Sequence, residues 1–171
     1  DIAIRFNKKY GETFHIPEPL ISTSGTKIMD LVDPTKKMSK SSENQKGVIR
    51  LLDEPAVIRK KIMGATTDSE MKIKYDVENK PGISNLINIY SALTEKNVEQ
   101  IEEEFKDSNY GTFKKAVADE VVQELTKIQS KYQEIINSNK LDEILDEGIL
   151  ETRKIAKAKF LEMKQKMGFH R

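Results

Sequence analysis

The sequence predicts a mainly α chain in which the closing edge of an α/β nucleotide-binding sheet is followed by a helical bundle. Three observations support this. A short apolar run, Lys27-Ile28-Met29-Asp30-Leu31-Val32, leads through Asp33-Pro34-Thr35 into the loop Lys36-Lys37-Met38-Ser39-Lys40-Ser41-Ser42. A strand delivering the chain to a phosphate-type loop is the arrangement at the carboxyl edge of an open α/β sheet. From Ser84 onward, apolar residues recur at helical spacing. Charged residues make up 33% of the chain and aromatics 6%, which suits solvated helices around a modest core.

Composition also excludes several functional classes. With no cysteine there is no disulfide framework and no thiolate metal site. The only histidines, His15 and His170, lie at opposite ends of the chain, so no metal site is assigned. No apolar run approaches membrane-spanning length and no signal peptide is evident, so a cytoplasmic protein without a membrane partner is expected. The net charge of +1 conceals an acidic stretch over 95–107 and a basic tail over 151–171.

The elements follow in order. Ile2, Phe6 and Tyr10 share a helical face, Lys8 and Lys9 sit in the last turn, and Gly11 suits the position after a helix end. A helix with an end and no room for a beginning, in a chain opening on Asp1, reads as part of a longer protein. Thr13-Phe14-His15-Ile16 is compatible with extended backbone, Pro17 and Pro19 exclude helix, and Ser22-Thr23-Ser24-Gly25 reads as a turn. Asp53 is the expected N-cap of a helix over 54–62 with Pro55 in its first turn. Small residues from Gly64 to Ser69 are consistent with a joint, which Gly64 and Gly82 would flank. Lys72-Ile73-Lys74-Tyr75 is weakly extended and Asn79-Lys80-Pro81-Gly82 signals a turn. Ser84 can cap a helix over 85–93, and Asn97 with Gln100 forms a capping box for a short acidic helix. Phe113, Val117, Val121, Leu125, Ile128, Tyr132 and Ile136 mark a long amphipathic helix, and a last helix begins near Leu141. Two long antiparallel helices with the shorter ones would form a small bundle, with Met63, Met163 and Met167 as core or gap-filling residues.

The lysine loop carries the chemistry. Lysines supply mobile point charges, and hydroxyls and backbone N–H groups supply short-range donors, a set suited to a polyphosphate. A solvated basic loop would account for a lone Lys-x-x-Lys, and Lys36 is read as solvated. The full string Lys37-Met38-Ser39-Lys40-Ser41 resembles the second (KMSKS) signature of class I aminoacyl-tRNA synthetases. The run from Gly25 to Lys36 resembles the bacterial tryptophanyl family in particular. So do the blocks from Asp53 to Ile62, from Asn79 to Leu86 and from Leu141 to Gly148. The likeness spans the chain and corresponds to the later half of that family's sequence.

That resemblance implies a partial Rossmann-like catalytic domain over 1–63 and a helical domain of the tRNA anticodon-binding type over 64–171. The complete enzyme would activate tryptophan with ATP and Mg2+ and pass it to tRNA(Trp), acting as a homodimer. Lys37 and Lys40 would be catalytic, meeting the β- and γ-phosphates. Ser39 and Ser41 would bind phosphate or hold the loop, Met38 would meet adenine through its backbone, and Ile28 would pack on the adenine face. Arg153, Lys154, Lys157, Lys159, Lys164 and Lys166 could neutralise RNA phosphates, and no anticodon-reading residue is assigned. The loop departs from the family by exiting through Ser42-Glu43-Asn44. The family's first, histidine-containing signature and its tryptophan-pocket residues are absent here, so the chain is expected to be inactive alone. The alternatives are a tRNA-binding helical module without catalysis, a tyrosyl-tRNA synthetase, or a generic helical interaction protein.

Overall fold

The structure is a computed structural model that describes residues 1–21 and 27–169, so the Ser22-Thr23-Ser24-Gly25 turn lies outside the described residues. It contains α1 (Ile2–Tyr10), α2 (Pro55–Met63), α3 (Pro81–Thr94), α4 (Val98–Glu104), α5 (Tyr110–Ile136) and α6 (Lys140–Lys166), with one 3-10 turn at Gln45–Gly47. The chain is mainly helical, as its sequence predicts. Among the described residues there is no strand, and the expected strand over 27–32 is reduced to one antiparallel bridge between Met29 and Lys37. Two compact units are present: Ile21–Tyr132, and Asp1–Leu20 with Gln133–Arg171.

The unit Ile21–Tyr132 is organised around α3. Eight of its 14 residues are buried, on every side of the helix, which identifies a central rather than a surface element. Around it pack Ile58 and Ile62 of α2, Ile101 of α4, and Phe113, Val117 and Val121 of α5. Tyr90, Phe105 and Phe113 meet edge to face with centroids 4.9 to 5.9 Å apart, the geometry that ring quadrupoles favour. Leu31 belongs to the same core, so packing here runs continuously through residue 63.

Several boundaries differ from the sequence expectation for identifiable reasons. α3 begins at Pro81, because proline is well suited to the first helical position and its missing N–H costs nothing there. Ser84 therefore lies inside the helix, and its hydroxyl accepts from the Asp76 amide at 2.8 Å. The Asp76 carboxylate in turn accepts from the amides of Glu78 and Asn79 and closes the preceding turn. Glu54, not Asp53, precedes α2, and Asp53 instead accepts from the Arg50 amide at 3.0 Å and Lys61 Nζ at 2.6 Å. The capping box of α4 forms as expected, with reciprocal bonds between Asn97 and Gln100 at 2.9 and 3.0 Å.

Two interactions fix the start of α3. Gly82 lies against the Thr66 backbone so closely that a Cβ would stand 2.0 Å from Thr66 O. This contact, rather than a hinge, accounts for the glycine. Lys80 is buried, with Nζ 2.8 Å from Glu70 and 3.1 Å from Asp68. Tyr110 Oη donates to the Asp68 carboxylate at 2.7 Å. Burial works against the Lys80 charge, but its bonds to Glu70, Asp68 and Tyr110 outweigh that and raise its pKa. Tyr110 is pushed up to about 12, first by burial and then by its bond to Asp68. Burial alone would raise Asp68, yet the Tyr110 hydroxyl, the Glu70 amide and Lys80 together hold it below the usual carboxylate range.

In the other unit, α1 ends at Gly11 with φ +85, and the Gly11 amide donates to Asn7 O at 3.0 Å. Asn7 then holds the extended segment that follows, bonding the backbone of Thr13 and Phe14 at 2.7 to 3.1 Å. Lys159 of α6 donates to Thr13 O at 2.7 Å. α6 contains no buried residue, and the core of the unit Ile21–Tyr132 is built largely by α2 to α5. Met63 and Met167, at 46% and 36% exposed, are not core residues either.

Gly82→Ala should lower stability by about 1–3 kcal/mol through overpacking, read as a fall in the urea midpoint. Gly148→Ala in exposed α6, where a Cβ meets nothing within 4 Å, should raise it by up to about 1 kcal/mol. Lys80 and Tyr110 both bind their protons more tightly when folded. Their contribution is therefore intact below the ordinary values of 10.5 and 10.0 and is lost as pH rises through the raised ones. Tyr110→Phe should shrink that alkaline loss, measured by urea unfolding between about pH 9 and about pH 12.

Candidate nucleotide-binding site

The segment from Ile28 to Met38 folds back on itself. Met38 N donates to Ile28 O at 3.0 Å and Asp30 N to Lys36 O at 2.8 Å, on either side of the Met29–Lys37 pair. The turn between is closed by Lys36 N on Asp33 O at 3.0 Å and by the buried Asp30 carboxylate, which accepts from the amides of Val32 and Asp33 at 2.8 and 3.0 Å. An aspartate bonding its own backbone a few residues on is the usual device for such a turn. Gly47 makes room for that carboxylate: a Cβ there would lie 1.8 Å from Asp30 Oδ1. The Leu31 amide donates to Gly47 O at 3.0 Å.

With no neighbouring strand among the described residues, the outer edge of this segment is satisfied by other groups. The Asn85 side chain of α3 accepts from Met29 N and donates to Met29 O, both at 2.8 Å. Thr66 donates its amide to Leu31 O at 2.8 Å and its hydroxyl to Val32 O at 2.7 Å. Sequence reasoning passed over Asn85, Asp30, Gly47 and Thr66. For Asn85 a signal exists, a polar residue directly preceding Leu86 and Ile87 in an otherwise apolar helix.

The loop sorts its lysines. Lys36 Nζ lies 2.8 Å from Asp33 Oδ2, both at the surface. The bond from Lys36, helped by the Thr35 hydroxyl, holds Asp33 down to about 2, and the same pairing raises Lys36. Lys36 is thus paired with its neighbour as well as solvated. Lys37 and Lys40 are exposed, and among the described residues neither is paired with a carboxylate. Ser39 and Ser41 face one another with their hydroxyl oxygens 3.0 Å apart, and Ser42 N donates to Ser39 O at 3.1 Å. The unusual exit is well formed: Asn44 accepts from Lys46 N at 3.1 Å and caps the 3-10 turn.

Ile28 and Met38 are half-buried and pack against the core. Together with Ile49, Ile89, Leu93 and Leu125 they line an apolar cavity of about 270 Å3. The Met38 amide is already committed to Ile28 O, so a backbone contact from Met38 to a ligand falls to its carbonyl. Arrayed this way, the loop offers unneutralised cations and hydroxyls on an anchored turn beside an apolar wall, which is the donor set for a phosphate-bearing heterocycle.

Of the basic residues on α6, Arg153, Lys154 and Lys157 are exposed. Lys159 and Lys166 lie 2.6 and 3.0 Å from Glu162 and hold its carboxyl low, while Lys164 stands 5.7 Å from the Phe160 ring centroid. Among the described residues, no cluster of His, Cys, Asp or Glu is placed to hold a metal ion, and no helix is long and apolar enough to cross a membrane.

Gly47→Ala should force Asp30 out of its turn and loosen the loop. Limited trypsin digestion should then cleave at Lys36, Lys37 or Lys40 several-fold faster than in the parent chain.

Residues 1–126 match the family model of class I tRNA synthetases (W and Y). The tryptophan–tRNA ligase of Bacillus anthracis is 49% identical over 171 residues, covering 100% of this chain and 52% of the relative. That of Malacoplasma penetrans is 53% identical over 169 residues, covering 98% and 50%. The solved tryptophanyl-tRNA synthetase of Mycoplasma pneumoniae superposes with a TM-score of 0.89 at 34% identity, covering 98% of this chain and 51% of that one. The chain spans about half the length of the curated relatives it matches. On this evidence of sequence and fold, the chain belongs to the class I tRNA synthetases of the tryptophanyl and tyrosyl family.

Proposed function

We propose that the chain serves a tryptophan–tRNA ligase, supplying its ATP- and pyrophosphate-binding loop and a tRNA-binding helical part. The observation that carries this reading is the sorting of the lysines: Lys36 is paired with Asp33, while Lys37 and Lys40 are presented exposed on an anchored turn. The names of the relatives point to tryptophan rather than tyrosine as the amino acid.

In the complete enzyme the tryptophan carboxylate attacks the α-phosphorus of ATP and pyrophosphate departs, leaving tryptophanyl-adenylate. The acyl group then passes to the terminal ribose of tRNA(Trp). Negative charge accumulates on the departing pyrophosphate, and catalysis consists mainly of positioning and of cations placed where that charge develops. Lys37 and Lys40 take that role at the β- and γ-phosphates. Ser39 and Ser41 donate to phosphate oxygens, the Met38 carbonyl meets adenine, and Ile28 packs on the adenine face. Mg2+ would come as part of the ATP substrate and would offset phosphate charge alongside Lys37 and Lys40. We retain the division into a catalytic part over 1–63 and a tRNA-binding part over 64–171 as a division of roles, with α6 offering Arg153, Lys154 and Lys157 to RNA phosphates. A cytoplasmic homodimer is the corresponding state of the full-length protein.

ATP–pyrophosphate exchange by the full-length protein should depend on tryptophan and not on tyrosine. Lys37→Ala or Lys40→Ala should each cost on the order of a hundredfold in kcat, about 3 kcal/mol in the transition state. The 171-residue chain by itself should show no exchange. A folded full-length protein that binds tRNA but exchanges with neither amino acid would leave the non-catalytic RNA-binding module as the better reading.

A further inference from the structure

We propose that Asn85 is a positioning residue for the ATP loop, acting as a one-residue substitute for a β-strand. The inference rests on the synthetase reading for its catalytic consequence, though not for its structural basis. A strand neighbour would offer Met29 one acceptor and one donor. The carboxamide of Asn85 offers both, accepting from Met29 N and donating to Met29 O at 2.8 Å each, across 56 residues of sequence. Asn85 is only 3% exposed, so its amide is committed to this task and cannot exchange these partners for water.

The location of Met29 gives the clamp its consequence. Met29 directly follows Ile28, whose carbonyl accepts the Met38 amide, and it is bridged to Lys37. A displacement of Met29 therefore moves the apolar wall and the first of the two exposed lysines together. α3 holds the neighbouring residues as well, because Gly82 packs on Thr66 and Thr66 bonds Leu31 and Val32. Among the described residues, Asn85 is nonetheless the one side chain of α3 that hydrogen-bonds the segment directly. α3 thereby sets the register of a loop that precedes it in the chain. Asn85 touches neither nucleotide nor amino acid; it acts through Met29.

The test uses the full-length protein with three substitutions. Asn85→Ala removes both bonds. Asn85→Asp keeps the size and the acceptor for Met29 N but, ionised, has no N–H for Met29 O. Ile87→Val, a buried change on the same helix that leaves both Asn85–Met29 hydrogen bonds in place, serves as the control for stability loss alone. In ATP–pyrophosphate exchange, both Asn85 variants should raise KM for ATP about tenfold while KM for tryptophan stays unchanged, and Ile87→Val should move neither. Amide hydrogen exchange should quicken over 28–38 in the Asn85 variants and stay at parental rates through α5. Should Asn85→Ala fail to fold, Asn85→Asp carries the same test. An unchanged KM for ATP, KM values for ATP and tryptophan that rise together, or faster exchange spread evenly through α3 and α5 would overturn the proposal. A parent protein with no tryptophan-dependent exchange would instead count against the synthetase reading, and hydrogen exchange over 28–38 would still decide whether Asn85 holds the loop.

Discussion

Buried backbone must be hydrogen-bonded, and the short run from Met29 to Val32 has to meet that demand without a sheet. Everything near the candidate site follows from how it does so. Asn85, Thr66 and Gly47, each from a different part of the unit, take up one or two of its polar groups, and the Asp30 carboxylate takes up another from within the run. The run is thereby fixed against α3, the most buried helix of the chain, and the loop that follows inherits a rigid base. A flexible, lysine-rich segment becomes a site because only its tip is left in solvent.

The rest of the unit secures α3 itself. Its N-terminus is held by the Lys80–Asp68–Tyr110 cluster, a buried charge with its partners satisfied, and by the close seat of Gly82 on Thr66. Breaking one member of such a cluster leaves another charge uncompensated, which makes it a stringent fixture even though its net contribution to stability is modest. Its C-terminal half is held by the aromatic cluster of Tyr90, Phe105 and Phe113. The fixtures lie well away in sequence from the residues they serve.

Sequence legibility followed the range of the interactions. The capping box of α4 was readable because both partners lie within four residues of each other, and the end of α1 was readable from Lys8, Lys9 and Gly11. The lysine loop was readable from its string. The start of α3 was misplaced because Ser84 is a good cap in isolation, while Pro81 also belongs to a turn signal; only the bond from Asp76 to the Ser84 hydroxyl decides between them. The residues of 27–32 suit a strand, yet their partners are scattered side-chain and backbone groups up to 56 residues away. Ile128, Tyr132 and Ile136 keep the helical period of α5 but lie beyond the core, which periodicity cannot reveal. The site residues that went unseen are those whose work is holding backbone, a task any polar side chain could in principle perform.

The Asp33–Lys36 pair sets the electrical value of the loop. Three lysines stand within five residues, yet one is neutralised by its neighbour, so the loop presents two unbalanced positive charges. On the synthetase reading proposed above, those two charges would go far toward balancing a magnesium-bound triphosphate. Charge matching of that kind would favour release as well as capture, since an over-charged loop would hold the departing phosphates. A third free lysine would tilt the balance toward retention, and Asp33 prevents it.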